Sequence, residues 1–326
     1  MQPANSSSQN VKEEKALPKV SIIILNWNSY DLTQDCLLSL QKMDYPAFEV
    51  VLVDNGSTDG SIEKLQQEFP CARFISNGRN LGFPAGNNVG IHDALPRNPD
   101  YLLLLNNDTV VAPDFLSQLV RVAESDPKAG ILNPKIYYSE PSDHIWYAGG
   151  MNKPWWSFPK HLGMQQRDNG KYNETREVSF ITGCALLIKT EVVRKIGILD
   201  EVFFLGFEDV DWSNRALQAG YKAIYVPASK IWHKVSIVTK RNLGKAVKDF
   251  YYVRNSILLF RKHSPRKYWP LFALSLGRHV AYRTAGYAVR LEPDRVVALY
   301  KGIWSGCRTK ITESSQQPAV STQPFN

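Results

Sequence analysis

The residues in this 326-residue sequence best able to do chemistry sit in a few short strings. Asp54 ends the apolar run "FEVVLVDN", just before Gly56 and the helix-start string "STDGS". A carboxylate there can accept the imide N–H of a uracil or thymine base. Turn chemistry also accounts for the string: Asn55–Gly56 makes the turn, and Ser57, Thr58 or Asp59 caps a helix. Asp108 ends "LLLLNND", behind Asn106 and Asn107. Hard divalent cations take oxygen ligands, and one carboxylate with neighbouring carbonyls is a lean version of such a set. The alternative is a strand closed by turn residues. In "GFEDVDWSNR", Glu208, Asp209 and Asp211 open a helix, with Arg215 four residues after Asp211. The helix dipole and an i,i+4 ion pair explain acids in that place. The surrounding Phe203, Phe204, Leu205 and Phe207 predict poor solvation, which raises a carboxyl pKa and suits it to general-base work. His233, in "KIWHK", either packs or ligates a metal. Trp146, Trp155 and Trp156 either fill a core or stack on sugar rings.

These side chains need elements that bring them together. "VSIIILNW" reads as a buried strand, followed by a helix from Tyr30 to Met43 whose Leu32, Cys36, Leu37 and Leu40 share a face. "FEVVLVDN", "ARFIS" and "YLLLL" read as further strands, with "STDGSIEKLQQEF" and "AGNNVGIHDAL" as the helices between them. Apolar runs alternating with amphipathic helices predict parallel strands with helices on both faces. Ligands of such sheets bind beyond the carboxyl ends of the strands. Four polar clusters should therefore share one edge: Asn26–Trp27–Asn28, Asp54–Asn55, Ser76–Asn77 and Asn106–Asn107–Asp108. After Asp126 the rhythm changes. Residues 139–176 are irregular, as in a functional loop. "GCALLIK" and "KAIYVP" read as strands, "TEVVRKIG" and "EDVDWSNRALQAG" as helices, and the chain from about Asn242 as basic helices.

Composition narrows the classes. With 44% hydrophobic and 21% charged residues this is an ordinary globular chain. Its four cysteines lie far apart without metal-type spacing, as expected for reduced thiols in the cytoplasm. The opening "MQPANSSSQNVKEEKALPK" is too polar for a signal peptide, and no apolar run is long enough to span a membrane. Gly82, Gly86 and Gly90 are spaced at four residues and so fail the dinucleotide fingerprint. P-loop, H-E-x-x-H and G-x-S-x-G strings are also missing. Residues 234–310 hold 17 Lys and Arg against 3 Asp and Glu, within a chain of net charge +8. That imbalance predicts a basic end facing an anionic surface. Residues 1–18 and 311–326 read as disordered tails.

Together, "VSIIILNWN", "VVLVDNGSTDGS", "NLGFPAGNNVGI", "LLLLNNDTVV", "FITGCALLIK…FEDVDW" and "VPASKIWHK" resemble the family 2 glycosyltransferases, inverting enzymes of the GT-A fold, over about residues 20–233. The nearest flavour is the bacterial rhamnosyl- and galactofuranosyltransferases of surface polysaccharide assembly. The resemblance implies an α/β fold with a mostly parallel Rossmann-like sheet flanked by helices over 19–238; charge and helical spacing add a basic amphipathic helical extension over 239–310. It implies that Asp54 binds a pyrimidine base beside Asn26 and Trp27, with Asn80 and Asn107 also on the nucleotide sugar. "NND" stands where the family has D-x-D, which makes Asp108 a ligand of Mg2+ or Mn2+. His233 would complete the metal site and Asp209 would be the catalytic base. The Trp-bearing segment would line donor sugar and acceptor.

The implied reaction is a metal-assisted single displacement from dTDP-L-rhamnose or a UDP-sugar to a hydroxyl of a glycan or polyprenyl-diphosphate-linked acceptor. Since Asn106 and Asn107 bring no charge, the metal is expected to bind well only together with the nucleotide. The basic helices suggest a peripheral seat on the inner face of the plasma membrane, or simply a packed extension with a solvated face. Three rivals remain. A nucleotidyltransferase would need a Gly-rich basic loop after the first strand, where "NWNSYDL" stands. A nucleic-acid binder explains the tail but not the acidic sheet edge, so no nucleic-acid partner is expected. A catalytically inactive, nucleotide-sugar-binding scaffold would fit the depleted D-x-D.

Overall fold

The computed structural model describes residues 16–235 and 244–311. The expected tails therefore lie almost wholly outside the described residues, as does the expected domain boundary at 238/239. Four strands, β1 (Val20–Asn26), β2 (Phe48–Asp54), β3 (Arg73–Ser76) and β4 (Tyr101–Asn106), run parallel in the order β3-β2-β1-β4. Their register sets Asn26 beside Asp54, Asp54 beside Ser76, and Leu25 beside Asn106. The four polar clusters thus do share one edge.

Helices α1 (Tyr30–Leu40), α2 (Ser61–Glu68) and α3 (Phe83–Ala94) connect these strands. Helix α1 stops three residues short of Met43, and it buries the expected Leu32, Cys36, Leu37 and Leu40. The four-residue glycine spacing proves to be a packing device. A Cβ on Gly90 would lie 2.5 Å from the Ile23 side chain, and one on Gly86 would lie 2.7 Å from Leu25. Glycine therefore lets α3 lie directly on β1.

The second half of the sheet is mixed rather than parallel. It contains β5 (Thr109–Val111), β6 (Ala129–Tyr138), β7 (Ile145–Tyr147), β10 (Arg176–Glu177), β11 (Ala185–Lys189) and β12 (Lys222–His233); β8 (Gly150–Met151) and β9 (Lys160–His161) form a separate ribbon. Strand β11 is antiparallel to both β4 and β6, while β12 is parallel to β6 and antiparallel to β5. Helices α4 (Phe115–Ser125), α5 (Thr190–Ile196) and α6 (Glu208–Gln218) pack alongside. "KAIYVP" and "KIWHK" belong to one strand, β12, irregular between Val226 and Lys230, so His233 ends a strand rather than following one.

The irregular stretch after β6 is pinned from beneath. Lys135 is fully buried, and its Nζ lies 2.8 Å from Asp168 Oδ2, which also accepts from Tyr137 Oη at 2.6 Å. A buried ammonium requires such a partner, and the pairing holds the Asp168 carboxyl down at about 2 against the pull of burial.

Three helices end the described residues: α7 (Lys245–His263), α8 (Trp269–Val289) and α9 (Pro293–Arg308). They share their own core of Val253, Ile257, Phe260, Phe272, Leu276 and Leu299. Buried Asp249 ties them together, accepting from Arg295 at 2.6 Å, Tyr287 at 3.0 Å and Arg283 at 3.3 Å. Asp211 on α6 joins them to the body through Lys262 at 2.8 Å and His263 at 2.7 Å. Part of the basic excess is therefore spent on internal ion pairs.

Candidate active site

Beyond the carboxyl ends of β1 and β4 lies a cavity of about 280 Å³. Trp27, Asn80, Asn107, Asp108, Asp209 and His233 all line it, although 206 residues separate the first from the last. Asn26 and Asp54 do not line it. They form a buried layer behind its wall. Asn26 Nδ2 donates to Asp54 Oδ1 (3.3 Å) and Ser61 Oγ (3.0 Å), and its Oδ1 accepts from Thr33 Oγ1 at 2.8 Å. Asn107 Nδ2 donates to the same Thr33 hydroxyl at 2.8 Å, linking the wall to that layer. Asp54 Oδ2 accepts from the Ser57 amide at 3.1 Å, so Asp54 itself braces the turn, and helix α2 begins after Gly60 rather than on a Ser57, Thr58 or Asp59 cap.

The Asp108–His233 pair is a product of the sheet. Antiparallel pairing of β5 with β12 sets His233 opposite Thr109, and the Lys234 amide donates to the Asp108 carbonyl at 2.8 Å. His233 Nε2 then lies 3.0 Å from Asp108 Oδ1, with both side chains less than a tenth exposed. Burial disfavours a charged His233, but the neighbouring Cys184 and Asp108 outweigh it and raise its pKa well above the usual imidazole range. Trp146 packs edge-on against the same ring at 4.7 Å.

Asp108 Oδ1 is buried with the His233 ring as its neighbour, and His233 Nδ1 is buried without a hydrogen-bond partner, as expected of a group whose partner is not part of the chain. Among the described residues no group of three or more His, Cys, Asp or Glu could hold a metal. The donor set fits a divalent cation only as a half-shell of one carboxylate and one imidazole, to be completed by oxygens from a ligand.

Asp209 occupies the first turn of α6. The chain enters that helix through Gly206 and Phe207, both at positive φ. Asp209 Oδ2 accepts from the Gly183 amide at 2.9 Å, and Oδ1 from the Val210 amide at 2.8 Å. Desolvation raises its pKa despite these donors. Glu208 beside it is raised further, first by burial and then by the Asp209 charge, and its Oε2 has no hydrogen-bond partner. The expectation of a poorly solvated acid pair is met in this geometry. Asp211, by contrast, has the opposite shift. Although fully buried, its carboxyl is held low by His263, Arg215 and Lys262, which makes it structural.

Asn55 and Gly82 line the cavity with roles beyond the turn and the glycine spacing read from the sequence. Asn55 organises the "NLG" turn: its Nδ2 donates to Asn80 Oδ1 at 2.9 Å, and its Oδ1 accepts from the Leu81 amide at 3.0 Å. Gly82 adopts φ +85° and ψ 177°, which only glycine tolerates well, and a Cβ there would meet the Phe204 ring at 2.6 Å. The signal for both was the glycine and asparagine content of their strings. Trp146 lines the cavity; Trp155 instead packs against Tyr268, 5.5 Å between centroids.

The family model "Glycosyl transferase family 2" matches residues 21–197. The N-acetylglucosaminyl-diphospho-decaprenol L-rhamnosyltransferase of Mycobacterium tuberculosis is 26% identical over 289 residues, covering 82% of this chain and 92% of the relative. The dTDP-rhamnosyl transferase RfbF of Shigella flexneri is 24% identical, covering 66% and 71%. Among solved structures, S. aureus TarS 1–349 in complex with UDP-GlcNAc aligns with a TM-score of 0.58 at 17% identity, covering 88% of this chain and 81% of that one. The mannosyltransferase PcManGT of Pyrobaculum calidifontis, in complex with GDP-Man and Mn2+, aligns at 0.55 and 17%, covering 89% and 86%. These likenesses establish the GT-A glycosyltransferase fold.

Proposed function

The chain belongs to glycosyl transferase family 2, and from that premise we propose that it transfers a sugar from a nucleotide-diphosphate donor to a hydroxyl by single displacement, with inversion. The observation that carries this reading is the convergence of Asp108, His233 and Asp209 on one cavity beyond the strand ends. Asp209 takes the proton from the acceptor hydroxyl as that oxygen attacks the anomeric carbon. The glycosidic bond forms while the carbon–oxygen bond to the diphosphate breaks on the opposite face, so no covalent intermediate is needed. One base suffices, unlike the paired carboxyls of a glycosidase.

Asp108 and His233 would hold Mg2+ or Mn2+, whose chemistry is to neutralise charge on the departing diphosphate. Asp54, buried behind the wall, is bonded to Asn26 and to the Ser57 amide, and we assign it the bracing of the strand ends behind the donor rather than the direct contact with a pyrimidine base that the resemblance implied. Trp27, Asn80 and Asn107 position the rest of the donor. The names of the relatives favour dTDP-L-rhamnose over a UDP-sugar, and a lipid-linked diphosphate glycan as acceptor.

A nucleotide-sugar panel scored for hydrolysis and transfer, with and without chelator, tests the reading. Turnover of a rhamnosyl or uridine-linked donor that stops with chelator supports it. Nucleotide-sugar binding without turnover under any condition would favour the inactive-scaffold reading instead.

We also propose that the C-terminal helices rest on an anionic lipid surface. No helix among the described residues is long and apolar enough to cross a membrane. Helices α8 and α9 nevertheless expose Leu274 (63%), Tyr282 (80%) and Trp304 (62%) in the segment carrying the positive excess. Aromatic and aliphatic side chains set among cations suit an interfacial seat, each Lys or Arg near the surface contributing about 1 kcal/mol. Co-sedimentation with phosphatidylglycerol vesicles but not with phosphatidylcholine vesicles is expected; equal recovery with both would remove this part.

A further inference from the structure

The chain reaches Asp209 through a bend that its own backbone does not favour. Phe204, Gly206 and Phe207 all have positive φ, at 55°, 79° and 76°, and two of the three are not glycine. Such conformations persist only where the surroundings hold them. The bend matters at both ends. Phe204, Leu205 and Gly206 line the donor cavity, and Asp209 follows in the first turn of α6.

The hold comes from α7. Asn255 is fully buried in the middle of that helix, and its Nδ2 lies 2.7 Å from Phe203 O, 2.9 Å from Leu205 O and 2.8 Å from Gly206 O. A carboxamide has two N–H donors, so the three carbonyls share them. Asparagine is a poor residue for a helix interior, so local structure does not account for it there. Its Oδ1 accepts from Arg254 Nη1 at 2.9 Å, and the same Nη1 donates to Val202 O at 2.7 Å. Tyr251 stacks on Phe204, 4.9 Å between centroids, and Tyr252 packs edge-on against Phe207 at 5.5 Å. Further along α7, Lys262 pairs with Asp200 at 2.6 Å and Asp211 at 2.8 Å, one on either side of the bend. A short stretch of one helix thus grips the whole bend.

We propose that Asn255 is a positioning residue for the transfer reaction: by gathering the carbonyls of Phe203, Leu205 and Gly206 it fixes where Asp209 stands against the donor, with Arg254 as its support. The C-terminal helices are then part of the catalytic apparatus as well as a surface. This rests on the glycosyl-transfer reading.

The test measures transfer by the full chain with the donor found in the panel, each rate divided by the folded fraction from circular dichroism of the same sample. Asn255→Ala should lower kcat about 10- to 100-fold, the scale of a base displaced by about 1 Å. Affinity for UDP or dTDP, whichever the active donor carries, should stay unchanged by calorimetry. Arg254→Ala, at a half-buried side chain, should lower kcat in the same sense by about threefold to tenfold. Ile257→Ala, which empties part of the helical core away from the bend, should keep wild-type kcat per folded molecule. The decisive readout is a double-mutant cycle with Asp209→Asn. A residue that acts through the base has nothing left to lose once the base is gone, so Asn255→Ala should slow the Asp209→Asn enzyme no further. If Asn255→Ala does not fold, Arg254→Ala carries the same cycle. The proposal is overturned if the loss multiplies in full onto Asp209→Asn, if both bend variants keep wild-type kcat, or if Ile257→Ala loses as much as Asn255→Ala. Absence of wild-type turnover would remove the glycosyl-transfer reading and this proposal with it, whereas turnover with a multiplying loss removes this proposal alone.

Discussion

Replacing Asp209 with Asn removes one negative charge at the wall of the cavity and leaves the side-chain shape unchanged. Loss of a general base costs roughly 10²–10⁴ in rate, about 2.7–5.4 kcal/mol of activation free energy. The structural cost is smaller. The carboxylate accepts from the Gly183 amide at 2.9 Å and the Val210 amide at 2.8 Å, and a carboxamide can satisfy only one of them with its oxygen. That loses about 1 kcal/mol. The amide also needs no ionisation at a site where burial already penalises the charge, which offsets part of the loss. The fold should therefore survive while turnover collapses. The assay is initial-rate transfer at saturating donor, with donor affinity measured separately by calorimetry. We expect kcat to fall 10²–10⁴-fold, with donor affinity unchanged. The raised pKa adds a second signature. Wild-type kcat should climb with pH through a value above that of an ordinary aspartate, where Asp209 loses its proton, and the variant should lack that limb. A variant within tenfold of wild type, or one whose donor affinity falls as far as its rate, would refute the reasoning. The first would move the base elsewhere, with Glu208 the next candidate.

Other perturbations read different parts of the molecule. Asp168→Asn leaves the buried Lys135 ammonium without its counter-charge and should destabilise the fold by about 3–5 kcal/mol in urea. The Asp168 carboxyl is depressed to about 2, so its contribution is complete above the unfolded value near 3.9 and fades as pH falls toward 2; the variant's acid limb should be flatter. His233→Ala should weaken Mn2+ binding in the presence of nucleotide about 10–100-fold by titration calorimetry, while tight Mn2+ binding to the nucleotide-free wild type would contradict a half-shell. Gly82→Ala forces a glycine-only conformation and drives a Cβ to within 2.6 Å of Phe204. About 1–3 kcal/mol of stability should be lost in thermal melts, along with donor affinity.

The chemistry-bearing strings were legible because each is local. Asp54, Asn106–Asp108 and Glu208–Asp211 all stand where an apolar run meets a turn or a helix start, and side-chain periodicity alone reveals that. The parallel β1–β4 half was legible for the same reason: its strands are separated by helices with one apolar face. Strand β6 escaped, and β11, legible as the strand "GCALLIK", escaped only in its antiparallel direction, since a buried strand looks the same either way. Lys135 is an unpromising residue for a core until Asp168, 33 positions away, is brought beneath it.

What the sequence determined by itself, then, was the set of reactive groups and the edge they share, because residue type and period are properties of a few consecutive positions. Tertiary structure alone decided their relations. Antiparallel pairing of β5 with β12 brought His233 to Asp108 across 125 residues. The Gly183 amide, reached through β11, oriented Asp209. Packing also placed Asn26 and Asp54 behind the cavity wall rather than on it. Distances between remote residues depend on strand register and helix packing, and no local pattern encodes those.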